Sequence, residues 1–246
     1  GNGGVRKPTF KVALALCVHR EIKPAVFSLV RQLEVCPDPK IILALATGDA
    51  LIDRSRSRVA TEFLNRDEDL IFFIDDDIKI SSIDITKMMW EIWRYDLDIL
   101  GAPYCLKSET EKAFAIRTLE DQCEIPVGKG GEIHEVRYVS TGVMGIRRRV
   151  FEKMIEKEVV HLCHPETQNL YPFFCPMEYK LNGKAYIYLS EDWAFCQRAL
   201  DLGFKVHCDF GVKVGHIGPK VYDFDDFFVE KKVRDGFNYR VNVLKE

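Results

Sequence analysis

The sequence has no apolar run near the roughly 20 residues that a membrane-spanning helix needs. Its longest runs, Val12 to Val18 and Ile41 to Ala46, have the length of strands, so an integral membrane protein is not expected. Among eight cysteines there is no CxxC pair, which removes the usual thiol-redox and zinc spacings. The nearest approach to a metal cluster, His161, Cys163, His164 and Cys175, matches no established zinc pattern. Several cysteines lie inside apolar segments, where a thiol behaves as a small hydrophobe, and a reduced, cytoplasmic setting is expected. Neither sign of charge dominates: 35 Lys+Arg face 38 Asp+Glu, for a net charge of −3. Charge-driven binding to nucleic acid or an anionic membrane is therefore not expected, although a nucleotide ligand is not excluded. GNGGVRKP at the start lacks the apolar segment of a secretory signal. With no internal repeat, low-complexity tract or linker, residues 1–246 are expected to form one domain. A composition of 47% hydrophobic and 30% charged residues excludes disordered and fibrous classes.

Apolar β-type runs alternate with helix-type stretches from the start, the pattern that buries a mostly parallel sheet between helix layers. Strands are expected at 12–18, 41–46, 70–74 and 97–101, and helices at 24–33, 50–64 and 83–93. Beyond residue 105 the alternation gives way to a smaller mixed β region. There a strand at 136–140 is expected to lead through Thr141-Gly142 to a helix from about Arg148. Residues 160–185 read as a long loop, Ser190 as the cap of a helix at 191–202 that Gly203 ends, and 204–210 as a strand. The tail from 219, carrying Phe224, Phe227 and Phe228, is expected to dock on the core.

Three features carry chemistry. Asp75-Asp76-Asp77 directly follows LIFFI, at the carboxyl end of a buried parallel strand, where open α/β sheets bind their ligands. In extended chain Asp75 and Asp77 share a face, and two converging carboxylates call for a hard cation such as Mg²⁺ or Mn²⁺. Ser190-Glu191-Asp192-Trp193 opens a helix, where acids also suit the helix dipole. His216 stands between Gly215 and Gly218 in VGHIG, and flanking glycines permit close backbone approach to a ligand. Ahead of the aspartates, Arg54, Arg56 and Arg58 offer guanidinium forks for phosphate oxygens; Arg54 and Arg58 share a helix face and Arg56 turns elsewhere.

The order of these segments, with GAPYC (101–105) and STGVMGIRRRVFEKM (140–154) between them, resembles the GT-A-type glycosyltransferases over most of residues 12–218. The resemblance implies an α/β nucleotide-diphospho-sugar transferase fold with a nucleotide-binding half at 10–105 and a donor-sugar and acceptor half at 106–218. It implies sugar transfer from a nucleoside-diphosphate sugar, with a UDP or GDP donor, to a carbohydrate or other hydroxyl acceptor. Asp75-Asp76-Asp77 matches the family's DxD motif, so Asp75 and Asp77 with the late His216 become the expected ligands of Mn²⁺ or Mg²⁺. His19, Arg20, Arg56, Asp75 and Asp76 are the expected nucleotide-binding residues. Gly101, Ala102, Pro103, Tyr104, Thr141, Gly142 and Trp193 would line the donor-sugar and acceptor side. Glu191-Asp192 matches the family's acidic pair, with Asp192 the expected base and Glu191 its substitute. The family's Arg-Asn pair maps onto Arg56-Ser57, where the Asn is missing. Three alternatives remain open: a catalytically silent binding module of the same fold, a metal-dependent phosphohydrolase, and a sugar-nucleotide pyrophosphorylase. The last is disfavoured because VALALCVHREIKP has no glycine-rich loop after the first strand.

Overall fold

Residues 9–109, 112–121, 123–228 and 239–244 are described by a computed structural model. The glycine-rich start and residues 229–238 of the tail lie outside them. In chain order the elements are β1 (Lys11–Val18), α1 (Pro24–Glu34), β2 (Lys40–Thr47), α2 (Ile52–Phe63), β3 (Leu70–Asp75), β4 (Ile78–Lys79), α3 (Ser82–Arg94), β5 (Ile99–Gly101), β6 (Cys123–Val127) and β7 (Ile133–Val136). They continue with β8 (Val143–Arg147), α4 (Arg148–Glu156), β9 (Met177–Leu181), β10 (Ala185–Leu189), α5 (Glu191–Asp201), β11 (Val206–Asp209), β12 (Gly215–Ile217), β13 (Val221–Tyr222), a 3-10 turn (Phe224–Phe228) and β14 (Tyr239–Val243).

A seven-stranded sheet in the order β2-β1-β3-β8-β5-β11-β7 forms the centre. β2, β1 and β3 run parallel, as do β5 and β11, while β8 and β7 run against their neighbours. Alternation along β1 and β3 sends Val12, Leu14, Leu16, Leu70, Phe72 and Ile74 to one face, under α1 and α3. Ala13, Ala15, Cys17, Ile71 and Phe73 go to the other, under α2, α4 and α5. On α3 the buried Ile85, Met88, Met89 and Ile92 fall at helical spacing, and Ser81 Oγ caps the helix by accepting from the Asp84 amide at 3.0 Å. The chain is thus a mixed α/β fold with a mostly parallel sheet flanked by helices, as its pattern led us to expect.

Three local expectations are corrected. The strand expected at 136–140 is β7 at Ile133–Val136, and Thr141-Gly142 leads into another strand, β8, before α4 begins. Gly145 interrupts the β-type run of β8, yet a Cβ there would come within 2.3 Å of Ile92 Cδ1; a close helix approach, which no strand signal reveals, demands the glycine. The loop expected at 160–185 ends in a hairpin, β9–β10, turned by Asn182 and Gly183 with φ of 52° and 68°, the left-handed pair of a tight hairpin turn. Ser190 precedes α5, but its side chain makes no cap bond and its hydroxyl donates to Asp192 Oδ1 at 2.7 Å.

Behind β11, Glu91 of α3 meets the buried Asp209. Burial, reinforced by a hydrogen bond with Asp209 and that residue's charge, pushes the Glu91 carboxyl up to about 8, although Lys87 Nζ lies 3.2 Å from Asp209 Oδ2. A carboxyl raised in the native state keeps a proton that the unfolded chain has lost, so this pair costs stability as pH rises from about 4.5 to 8. Glu91→Gln should match the wild type near pH 5 and exceed it by roughly 1–2 kcal/mol near pH 8.5, discounted for partial exposure. Urea unfolding at the two pH values reads this directly.

Candidate functional site at the carboxyl end of the sheet

The carboxyl ends of β1, β2, β3 and β5 open on one side of the sheet, and the antiparallel β8 begins there. β3 stops at Asp75, whose amide donates to Gly142 O at 3.0 Å. Asp76 and Asp77 then turn the chain into β4, which leaves the central sheet and pairs with β12 in a small sheet, β13-β12-β4. The three aspartates therefore straddle two sheets. The expected convergence of Asp75 and Asp77 on one face is corrected, because alternation holds only while the chain stays extended. Asp75 turns to Arg56, Asp76 accepts from the His19 amide at 3.3 Å, and Asp77 turns to His216 and Lys107.

His216 Nδ1 lies 2.9 Å from Cys105 O. A carbonyl only accepts, so Nδ1 carries the hydrogen, and in neutral His216 the bare Nε2 faces Asp77 Oδ2 at 3.2 Å. Two acceptors so placed require a proton on Nε2 or a cation between them. Asp77 Oδ1 is buried with no hydrogen-bond partner, an orphan oxygen with capacity to coordinate. Burial alone would push the Asp77 carboxyl up, but hydrogen bonds from His216 and Lys107 outweigh it and hold the group down at about 2. An imidazole whose second nitrogen is fixed by a carbonyl, beside a carboxylate, is a normal metal-ligand arrangement. Among the described residues no cluster of three or more His, Cys, Asp or Glu could hold a metal ion. Two protein ligands fit an ion whose remaining positions are filled by phosphates and water, as Mg²⁺ sites commonly are.

Arg56 joins the two acidic motifs. Its Nη2 donates to Asp75 Oδ1 at 2.7 Å and its Nη1 to Glu191 Oε1 at 2.6 Å, with the side chain only 6% exposed. Burial opposes the guanidinium charge, but Asp75, Asp192 and Glu191 together raise its pKa above the usual value. In the other direction, burial followed by the Asp192 charge raises Glu191. Asp192 is also buried, and its Oδ1 accepts from Ser190 Oγ and from the Trp193 amide at 2.7 and 2.8 Å. Arg54 and Arg58 both face the buried Asp49, which Arg54 chelates at 2.7 and 2.8 Å. The Arg54 hydrogen bond is the main cause that lowers Asp49 to about 2. Asp49 stands two residues beyond the end of β2 at Thr47, whereas Asp75 is the last residue of β3, so an acid close after an apolar parallel strand is the signal that singles it out in retrospect. Lys107, the other residue missed, carries no local signal because only the fold brings it to Asp77.

The fold is shared with A197 from STIV. That structure superposes with a TM-score of 0.57 at 15% identity, covering 96% of this chain and 98% of the other; a likeness at this identity shows the fold alone. Two looser overlaps are with GalNAc-T7 with UDP, GalNAc and Mn²⁺ and with CMP:2-keto-3-deoxy-manno-octonic acid synthetase complexed with CTP. The first has a TM-score of 0.47 at 9% identity over 86% of this chain and 44% of the other; the second has 0.42 at 10% over 80% and 88%. Both are too loose to argue from. No protein-family description and no curated protein matches the sequence.

The residues expected to make room for a donor sugar are packed. Gly101, Ala102, Pro103, Tyr104, Thr141 and Gly142 are all buried. A Cβ at Gly101 would lie 2.6 Å from Val139, and one at Gly142 would lie 2.6 Å from the Tyr104 ring; these glycines let side chains and strands close up rather than open a space. Trp193 donates from Nε1 to Ser140 Oγ at 3.1 Å and tilts against Tyr138 at 5.2 Å. His19 and Arg20 are exposed just past β1, and His19 borders a cavity of about 130 Å³ between Val18 and Asp49. A larger one of about 650 Å³, bounded by Lys79, Gly215 and Val221, contains none of the expected site residues. At the other early candidate cluster, Cys163 Sγ donates to His161 O and all eight cysteines are free. Among the described residues no helix is long and apolar enough to cross a membrane.

Proposed function

We propose that this protein is a divalent-metal-dependent glycosyltransferase that moves a sugar from a nucleoside-diphosphate donor, UDP- or GDP-linked, to an acceptor hydroxyl. The observation that carries this reading is His216 Nε2 at 3.2 Å from Oδ2 of Asp77, whose other oxygen is buried and unpartnered. It lies beside a strand end that Arg56 links to Glu191. Asp77 and His216 would hold Mn²⁺ or Mg²⁺, which when bound neutralises charge on a departing diphosphate. Asp75, whose Oδ1 accepts from Arg56, would stand beside that ion rather than be one of the two proposed ligands. Asp76, with the exposed His19 and Arg20 at the end of β1, would contact the nucleoside.

Arg56 fixes Asp75 and Glu191 in place and leaves Asp192 as the base for the acceptor proton, its Oδ1 oriented by Ser190 and the Trp193 amide. Asp192→Asn should lower kcat at least 100-fold while nucleoside-diphosphate affinity changes less than threefold, since the charge is removed from the acceptor side only. Equal loss of both would remove Asp192 from that role. The function itself is tested by calorimetry with UDP and GDP, with and without Mn²⁺, followed by a hydrolysis and transfer assay on a panel of nucleotide sugars. Metal-dependent binding of one diphosphate is expected. No binding under any condition would refute the reading in favour of a silent module, and steady release of phosphate from simple monoesters would favour a phosphohydrolase.

A further inference from the structure

Lys107 lies beyond β5, and its Nζ is 2.5 Å from Asp77 Oδ2, the same oxygen that His216 Nε2 faces at 3.2 Å. The ammonium thus stands against the atom that a cation shared by Asp77 and His216 would use. Two further observations make it exchangeable. The Lys107 side chain is 34% exposed, unlike the buried Arg56, whose two terminal nitrogens are both committed to acids. Its stem passes over Gly218, where a Cβ would come within 3.3 Å of Lys107 Cδ, so the glycine leaves the stem a clear path. The neighbouring backbone is anchored by Leu106 N to Ala113 O at 2.9 Å and Ser108 N to Leu106 O at 2.9 Å; only the side chain needs to move.

A dication on Asp77 Oδ2 would repel an ammonium hydrogen-bonded to that same oxygen at contact distance. An ion entering between Asp77 Oδ2 and His216 Nε2 would therefore loosen Lys107, and the freed ammonium would find its next anion within reach of its four-carbon stem. If the ion carries a diphosphate, that anion is the diphosphate. We propose that Lys107 is a diphosphate-binding residue held on Asp77 in the absence of the ion, so that it weakens binding of the metal alone and strengthens binding of the metal with its nucleotide. The inference rests on the nucleotide-sugar reading above and adds a residue and a coupling to it.

The test needs no turnover. Mn²⁺ binding to the purified chain without nucleotide is followed by the loss of its free-ion electron paramagnetic resonance signal, and UDP and GDP binding at saturating Mn²⁺ is followed by calorimetry. For Lys107→Met we expect Mn²⁺ alone to bind at least fivefold tighter and the preferred nucleoside diphosphate at least tenfold weaker, with Lys107→Arg keeping nucleotide affinity within threefold of wild type. Any other result overturns the proposal, including a change in only one of the two affinities. Wild type and Lys107→Met binding both ligands identically would overturn it while leaving the proposed function standing; a wild type that binds neither ligand would remove both. If thermal unfolding shows that Lys107→Met is not folded, Lys107→Gln carries the same two expectations.

Discussion

Asp77→Ala should abolish Mn²⁺-assisted nucleoside-diphosphate binding, a loss of at least 100-fold in affinity, and should bring sugar transfer to background. The variant loses both Asp77 oxygens, the orphan Oδ1 and the Oδ2 that faces His216 and Lys107. It leaves His216 as a single protein ligand, too few for a hard cation that favours oxygen donors. Some stability should be lost, because the partners that hold the Asp77 carboxyl down favour its charged form in the folded state, but the fold should persist, since Asp77 and its two partners lie outside the apolar core. Calorimetry with and without Mn²⁺, with a thermal unfolding scan as the control, separates the two effects. Transfer by Asp77→Ala at a rate within tenfold of wild type would show that this carboxylate holds no essential ion.

The largest loss of stability is expected at Arg56. Arg56→Met keeps the volume of the stem but leaves Asp75 and Glu191 without the buried guanidinium that both accept from. Removing one partner of a buried ion pair typically costs about 3–5 kcal/mol, because the remaining charge is uncompensated. At roughly 2–4 °C per kcal/mol for a chain of this size, the melting temperature should fall on the order of 10 °C. Arg56→Met combined with Glu191→Gln should recover part of the loss, since Glu191 is already raised by burial and by Asp192 and a neutral amide is cheaper there. Urea denaturation of the single and double variants measures both numbers. A double variant no more stable than Arg56→Met would mean that Arg56 acts through packing rather than charge.

Much of the fold was legible because it rests on local periodicity. LIFFI, VALALCV and the helical spacing of Ile85, Met88, Met89 and Ile92 each state a burial pattern that a few neighbouring residues fix. One misread element, β8, has glycines that answer to distant neighbours: Gly145 is set by Ile92 and Phe72, and Gly142 just before it by Tyr104. In the candidate site, the sequence pointed to Asp77 through its position after a buried strand and to His216 through its flanking glycines. It had no means of separating Asp75 from Asp77, because that depends on β4 leaving one sheet to join another.

The sequence by itself determined the alternating α/β pattern, the mostly parallel sheet, and an acidic segment at the carboxyl end of a buried strand. These follow from hydrophobic spacing over a few turns or strand repeats, and such spacing is carried by contiguous residues. Only the tertiary structure decided that Arg56 joins Asp75 to Glu191, that Cys105 O sets which nitrogen of His216 meets Asp77, and that Lys107 shares that carboxylate. The physical reason is range: hydrogen bonds and ion pairs act over about 3–4 Å, and chain segments far apart in sequence come that close only once both faces of the sheet are packed.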